Sequence, residues 1–232
     1  MIFSIISMLL LAAFVVVAVV HLVRCYQRNL GLSDITKFLL MPLLAAFYLA
    51  ASFAAGFTLM TVLVLAALVL FWIGDMLLIY DWERASFFFG MFTFMLAQIA
   101  LIVVSMIFFS RVSFPIIAGL ILIPVFIVIF TVKVIFLRKP FAFIGLQAVA
   151  TMYLLSTTVL SYLLVMLAIA NPSVLTVLMA IGGVGFMMSD YHVIQEYYIG
   201  GNNLSRFLIM LGYLIGTAFI VIGTAGLQLQ AL

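Results

Sequence analysis

The sequence predicts an all-α membrane protein, a bundle of eight transmembrane helices, and three observations carry that prediction. Of the 232 residues, 69% are hydrophobic and only 6% are charged, whereas soluble domains average about 45–50% and about 25%. Mean hydropathy is +1.52. The apolar residues fall into eight runs, each near the ~20 residues that a helix needs to cross a bilayer. These values exclude a soluble enzyme and a disordered chain, and the single cysteine, Cys25, excludes an internal disulfide.

Charged and turn-forming residues separate the eight runs. The joints between them are short, so we expect one transmembrane domain over residues 1–232 and no soluble domain. The first run has neither a basic segment before it nor a cleavage signal after it, which favours a retained span over a signal peptide. Pro124 lies inside the fifth run, where it is expected to kink the helix rather than end it. The predicted spans are 2–23, 36–54, 57–80, 86–109, 114–137, 143–170, 173–195 and 204–227.

The distribution of cations predicts the orientation of the bundle. If the N-terminus lies outside, the outer side receives only Arg111. Lysine and arginine concentrate on the inner side of membrane proteins, so both termini are predicted to lie on the outer side. Because the nine lysines and arginines are scattered along the chain, they form no basic stripe that could bind nucleic acid. The inner side then receives Arg24, Arg28, Lys37, Arg84, Lys133, Arg138, Lys139 and Arg206.

Two aspartates lie within predicted spans, where ionisable side chains are expensive and are the first candidates for function. Asp75 and Asp190 each lie about six residues before the inner end of a span that runs from outside to inside. At ~1.5 Å per residue, both carboxyls are expected at similar depth, roughly 8 Å from the inner boundary. Their structural alternative is a hydrogen bond to a neighbouring helix.

The segments before the two aspartates resemble each other. Phe71-Trp72-Ile73-Gly74-Asp75 and Phe186-Met187-Met188-Ser189-Asp190 share the pattern Phe-x-x-small-Asp, 115 residues apart. Because spans three and seven are four spans apart, the pattern suggests a parallel duplication of four helices. The small residue beside each aspartate permits close helix approach. Two carboxyls brought together in an apolar core cannot both ionise easily, so we expect an acid–base pair.

Several of these segments resemble the YhhN-like integral-membrane lysoplasmalogenases. The resemblance runs from about Ser33 to Gly223, with Gln98 where the family usually has histidine. The matching segments, in chain order, are Thr36-Lys37-Phe38-Leu39-Leu40-Met41-Pro42-Leu43-Leu44-Ala45, then Gly74-Asp75-Met76-Leu77-Leu78, Phe89-Gly90, Phe94, Phe186-Met187-Met188-Ser189-Asp190 and Tyr213.

The resemblance implies hydrolysis of the vinyl-ether bond of lysoplasmalogens, giving a fatty aldehyde and a glycerophospho-base. Asp75 and Asp190 would be the catalytic pair, one as acid and the other as stabilising anion and base, with neither role yet assigned. No metal or other cofactor is expected. The partners would be the lysophospholipid substrate and membrane lipids. Candidate substrate-binding residues are Lys37, for the lipid phosphate, and Gln98, Tyr213 and Ser189.

Other functions remain open from the sequence. A non-catalytic lipid-binding relative fits Gln98 and the polar residues after Asp190, and a proton-coupled transporter fits a four-plus-four repeat with intramembrane acids. An intramembrane aspartyl protease also uses two helix-borne aspartates, but its sequence pattern differs. Three further polar residues are expected at the membrane interface: His21, and His192 and Glu196 facing the inner headgroups.

Overall fold

A computed structural model describes residues 4–27, 30–79, 84–144, 147–199 and 202–230. All eight helices in this part of the chain are long and apolar enough to cross a membrane, which confirms the predicted helical bundle. A short 3₁₀ helix, Phe53–Ala55, follows the second helix. The helices are α1 (Ile5–Tyr26), α2 (Leu30–Ser52), α3 (Leu59–Ile79), α4 (Arg84–Phe109), α5 (Ile116–Ile144), α6 (Gln147–Ala170), α7 (Val174–Ile199) and α8 (Asn203–Gln230).

Several helices begin or end at other residues than the predicted spans do. α2 begins at Leu30 rather than at residue 36, α5 runs through the predicted joint at 138–142, and α6 begins at Gln147 rather than at residue 143. Charged residues do not stop a helix at the membrane surface, because long basic side chains keep their charged heads in water while the backbone bonds continue. α5 also passes Pro124 without a break. The predicted joint at Gly56 is confirmed, since this glycine has φ +77°, a conformation that side chains disfavour.

The helix contacts repeat between the two halves of the bundle. Each half forms a row of three packed pairs: α1–α2, α2–α3 and α3–α4, then α5–α6, α6–α7 and α7–α8. The halves join where α8 packs on α2 and α4 packs on α6, which are the equivalent contacts that a parallel four-plus-four duplication predicts. α8 also packs on α1, and this contact departs from the duplicated pattern.

The first turns of α3 and α7 repeat in atomic detail. The backbone N–H of Thr58 donates to Thr61 Oγ1, which donates in turn to the Gly56 carbonyl. In α7 the N–H of Ser173 donates to Thr176 Oγ1, which donates to the Asn171 carbonyl. Each residue of the second set lies 115 positions after its counterpart, the same interval that separates Asp75 from Asp190. The same 115-residue interval therefore relates the starts of α3 and α7 to each other, and also the two aspartates that these helices carry.

Glycines allow α7 and α8 to approach closely beside the second aspartate. A Cβ added at Gly216 would lie 2.9 Å from Phe186 Cβ and 3.0 Å from the Gly182 carbonyl oxygen. One added at Gly212 would lie 2.9 Å from the Gly185 carbonyl oxygen. Gly212 and Gly216 of α8 therefore form a packing surface against α7. The close contact fixes the position of α7, which carries Asp190.

Candidate active site

An aromatic cluster fills the centre of the bundle between the two aspartate-bearing helices. Phe71 and Phe186, each four residues before its aspartate, have ring centroids 5.3 Å apart. The ring of Tyr213 packs against both, at 6.1 Å from Phe71 and 5.7 Å from Phe186, and lies 5.7 Å from Phe94. The repeated Phe-x-x-small-Asp pattern therefore brings its two phenylalanines together. Their contact holds α3 and α7 at a common depth.

Asp75 is buried and has a cation beside it. Lys37 Nζ lies 3.2 Å from Asp75 Oδ1, and the hydroxyl of Tyr213 donates to Asp75 Oδ2 at 2.8 Å. The side chain of Asp75 is 2% exposed and that of Lys37 is 14% exposed. Both oxygens of the carboxylate thus have a donor, one of them charged. A carboxylate with such partners is stabilised as the anion.

Asp190 is equally buried but accepts from neutral groups. Gln98 Nε2 donates to Asp190 Oδ2 at 3.1 Å, and Gln98 Oε1 accepts from the hydroxyl of Ser156. From α6, the phenol of Tyr153 and the hydroxyl of Thr157 lie near the carboxyl, although Thr157 Oγ1 completes no hydrogen bond of regular geometry. Gln98 of α4 therefore bridges Ser156 on α6 and Asp190 on α7.

The partners of the two aspartates are exchanged between the halves of the bundle. Tyr213 of α8 binds Asp75 of α3, whereas Gln98 of α4 binds Asp190 of α7. Gln98 and Tyr213 are themselves 115 residues apart. The two environments are also continuous, since Tyr153 lies within electrostatic range of both carboxyls and so does Tyr213. The bundle therefore holds one polar centre with two differently partnered acids.

A second lysine reaches the same region from α5. Lys133 is only 5% exposed, and its ammonium donates to the carbonyl of Met187 at 2.9 Å. It lies within electrostatic range of Asp190, three residues further along α7. The sequence placed Lys133 among the inner-side cations, whereas the structure buries it inside the bundle.

The structure gathers most of the predicted site residues and sets one apart. Lys37, Gln98 and Tyr213 each contact a carboxyl. Ser189 instead donates to the carbonyl of Ile209 at 2.8 Å, which joins α7 to α8. Its position one turn after Gly185 explains that role, since the close approach of the two helices brings a backbone carbonyl within reach.

The structure corrects two of the predictions made for interfacial residues, because both side chains are buried against a neighbouring helix. His21 is buried, and its Nδ1 is 2.8 Å from Thr36 Oγ1 on α2. Glu196 is also buried and pairs with Arg206, with Nε 2.6 Å from Oε1. Each side chain bonds to a polar group on a neighbouring helix instead of facing the headgroups, because antiparallel neighbours place such a group at the same level of the bundle. His192 stays half-buried, as an interfacial position allows.

Sequence reasoning missed Tyr153 and Thr157. Both lie on α6, which has no intramembrane charge to draw attention to it, but they are four residues apart and so share one helical face. The same face carries Ser161, whose hydroxyl donates to the Gly183 carbonyl of α7 at 2.7 Å. A Tyr-x-x-x-Thr-x-x-x-Ser stripe in a span was the signal that could have indicated a polar contact with α7.

An apolar groove opens on the surface that α3 and the start of α4 form. Its volume is about 250 Å³, and it is lined by Trp72, Ile73, Met76, Leu77 and Ser86. Trp72 lines this groove, and its indole N–H donates to the carbonyl of Phe38, next to Lys37 in the chain, at 3.0 Å. Within the described residues, no three His, Cys, Asp or Glu side chains come together as a metal site would require.

Comparison with known proteins gives one family. The family model described as the YhhN family matches residues 32–224, which include all the residues of the polar centre. No curated protein matches the chain, and no solved structure does.

Proposed function

This chain belongs to the YhhN family, and on that basis we propose that it is an integral-membrane lipid hydrolase. Its reaction would be cleavage of the vinyl-ether bond of lysoplasmalogens to a fatty aldehyde and a glycerophospho-base. One observation carries the proposal: two buried carboxyls share a polar centre, and only Asp75 contacts a lysine ammonium. Asp190 accepts from neutral donors, and the nearby Lys133 donates to a backbone carbonyl instead. Environments that differ in this way divide two carboxyls into an anion and an acid.

Asp190 is the general acid in this proposal. Its nearest donors, Gln98 and Tyr153, are neutral, so the carboxyl can hold a proton without losing an ion pair. Hydrolysis of a vinyl ether begins with proton transfer to the enol carbon, which leaves an oxocarbenium ion. A positioned acid of this kind contributes about 10²–10⁴-fold to a rate.

Asp75 is the anion that stabilises the cation formed in that step. The Lys37 ammonium and the Tyr213 hydroxyl keep its two oxygens charged and oriented, and a fixed negative charge acts strongly where water is excluded. Lysine has three donors, so its ammonium can hold Asp75 and still receive the phosphate of a lipid headgroup.

The surroundings suit a substrate that arrives from the bilayer. The groove beside Trp72 is apolar and lies at the depth of Asp75. At about 250 Å³ it is smaller than the ~300–1,000 Å³ of typical ligand pockets, so it would take one hydrocarbon chain rather than a whole lipid. A lysolipid has a single chain, with its headgroup near Lys37.

The test is aldehyde release from a lysoplasmalogen by the purified protein in detergent. Asp75→Asn and Asp190→Asn are each expected to lower the rate by at least about 10²-fold, while the ester lysolipid of the same headgroup is not cleaved. Glu196→Gln is the matched control, because it changes a buried carboxyl that pairs with Arg206 outside the centre. It is expected to retain the parent rate per folded molecule.

Other results would favour the alternatives. Saturable lysolipid binding without aldehyde release would indicate a non-catalytic lipid-binding protein. Proton-coupled uptake of a solute into vesicles would indicate a transporter. Equal activity in the parent and in both aspartate variants would refute the assignment of the carboxyls.

A further inference from the structure

Thr157 has a hydroxyl that the packing of the bundle leaves unused. Its side chain is fully buried, yet Oγ1 makes no hydrogen bond of regular geometry anywhere in the described chain. Buried hydroxyls without a partner cost roughly 1–3 kcal/mol and are uncommon in folded proteins. The neighbouring Thr158 behaves differently, since it donates to the Leu154 carbonyl at 2.6 Å. An ordinary helical threonine would be satisfied in that way.

The unused hydroxyl lies at the centre proposed to be catalytic. Thr157 is one turn after Tyr153 on α6, and both side chains lie near the carboxyl of Asp190. Gln98 engages Asp190 Oδ2 from the side of α4. A buried water typically makes two to four hydrogen bonds to polar groups, and this corner supplies a hydroxyl, a phenol and a carboxyl.

We propose that Thr157, together with Asp190, binds the water that attacks the oxocarbenium ion. This inference rests on the proposed function and assigns a positioning residue to it. Thr157 Oγ1 orients the water, and Asp190, which has just given its proton to the enol carbon, receives one back. The site therefore uses one carboxyl twice, as acid and then as base.

The reaction proceeds through an oxocarbenium ion and then a hemiacetal. Asp190 transfers its proton to the enol carbon, and the C=C pair forms the new C–H bond. Water then forms a bond to the neighbouring carbon and loses a proton to Asp190, giving a hemiacetal. Finally the bond from that carbon to the glycerol oxygen breaks. The leaving oxygen takes the proton of Asp190, the hemiacetal hydroxyl returns one, and the aldehyde is released with both aspartates restored.

Partitioning of the cation separates this role from a structural one. When water is well placed, the cation is captured before it can revert to substrate. When capture is slow, the cation loses a proton from carbon and regenerates the vinyl ether. In D2O, reversion leaves deuterium on the alkenyl carbon of the recovered substrate. Damage to the fold would slow both paths and would not raise that label.

The experiment uses a 1-alkenyl lysophosphoethanolamine in D2O with the full-length protein. Thr157→Val keeps the shape and removes the hydroxyl, so we expect about a three- to tenfold slower aldehyde release. The deuterium in recovered substrate, relative to product formed, is expected to rise by a similar factor. Thr157→Ser, which keeps the hydroxyl, is expected to restore both values toward those of the parent.

Stability supplies the control. Because Thr157 Oγ1 has no regular partner, Thr157→Val is expected to keep or raise the melting temperature. Thr158→Val loses a bond to the helix backbone and is expected to lower it, without a change in partitioning. Parent-like rate and label in Thr157→Val would overturn this inference alone. A parent that neither releases aldehyde nor exchanges deuterium would overturn the proposed function, and this inference with it.

Discussion

Removal of the Tyr213 hydroxyl isolates one contact of the proposed anion. Tyr213→Phe keeps the ring that packs against Phe71, Phe94 and Phe186. It removes only the donor at 2.8 Å from Asp75 Oδ2. Hydrogen bonds to charged groups contribute roughly 1.5–3 kcal/mol, and about 1.36 kcal/mol corresponds to a tenfold change in rate. If the bond stabilises the anion in the transition state, kcat/KM is expected to fall about 10- to 150-fold.

A matched variant shows whether the loss is specific to the site. The hydroxyl of Tyr48 is also buried and donates to Gln228 Oε1 at 2.8 Å. Tyr48 lies eleven residues beyond Lys37 on α2, about 16 Å along the helix. The assay is initial aldehyde release at several substrate concentrations, with melting temperature measured in parallel. Tyr48→Phe is expected to lower stability slightly and leave kcat/KM unchanged. An unchanged kcat/KM in Tyr213→Phe, or an equal fall in both variants, would refute the reasoning.

Two further predictions concern the fold, and thermal melting in detergent measures both. Gly216→Ala is expected to destabilise by about 1–3 kcal/mol, since its Cβ would meet Phe186 Cβ at 2.9 Å; Gly185→Ala, whose nearest contact is 3.6 Å, is the control expected to change little. Arg206→Met removes the cation beside buried Glu196, which keeps the Ser205 hydroxyl as a donor. Because Arg206 itself is 36% exposed, the expected cost is about 1–3 kcal/mol, much of which Glu196→Gln in the same chain should recover. Equal melting of each pair would contradict these accounts.

The number and placement of the spans could be predicted from the sequence because the bilayer imposes a single strong requirement on length and polarity. Helix ends were less predictable. The joint expected at residues 138–142 is helical in α5, since interfacial water tolerates both a helix and a loop there. The joint at Gly56 was predicted correctly, because glycine has no Cβ and adopts a positive φ without a steric penalty.

That Asp75 and Asp190 lie at a common level of the bundle could also be predicted, since helical rise converts sequence position into distance along the helix. Their partners could not, because they come from other helices: Gln98 reaches Asp190 across the two halves of the bundle, and Tyr213 reaches Asp75 in the same way. The sequence signal of this exchange is the 115-residue interval between Gln98 and Tyr213, which places them at equivalent positions of the two halves. Thr157 has no polar counterpart at that interval. The stripe that it shares with Tyr153 and Ser161 indicates a polar contact with α7, but an unused hydroxyl is a property of packing.

Deuterium in the released aldehyde tests the central claim most directly. The proposed chemistry begins with proton transfer from Asp190 to the enol carbon, so the parent protein in D2O is expected to release aldehyde that carries one deuterium at carbon 2. Asp190→Asn is expected to release almost none. Aldehyde without that deuterium, or labelled aldehyde formed at the parent rate by Asp190→Asn, would contradict the account.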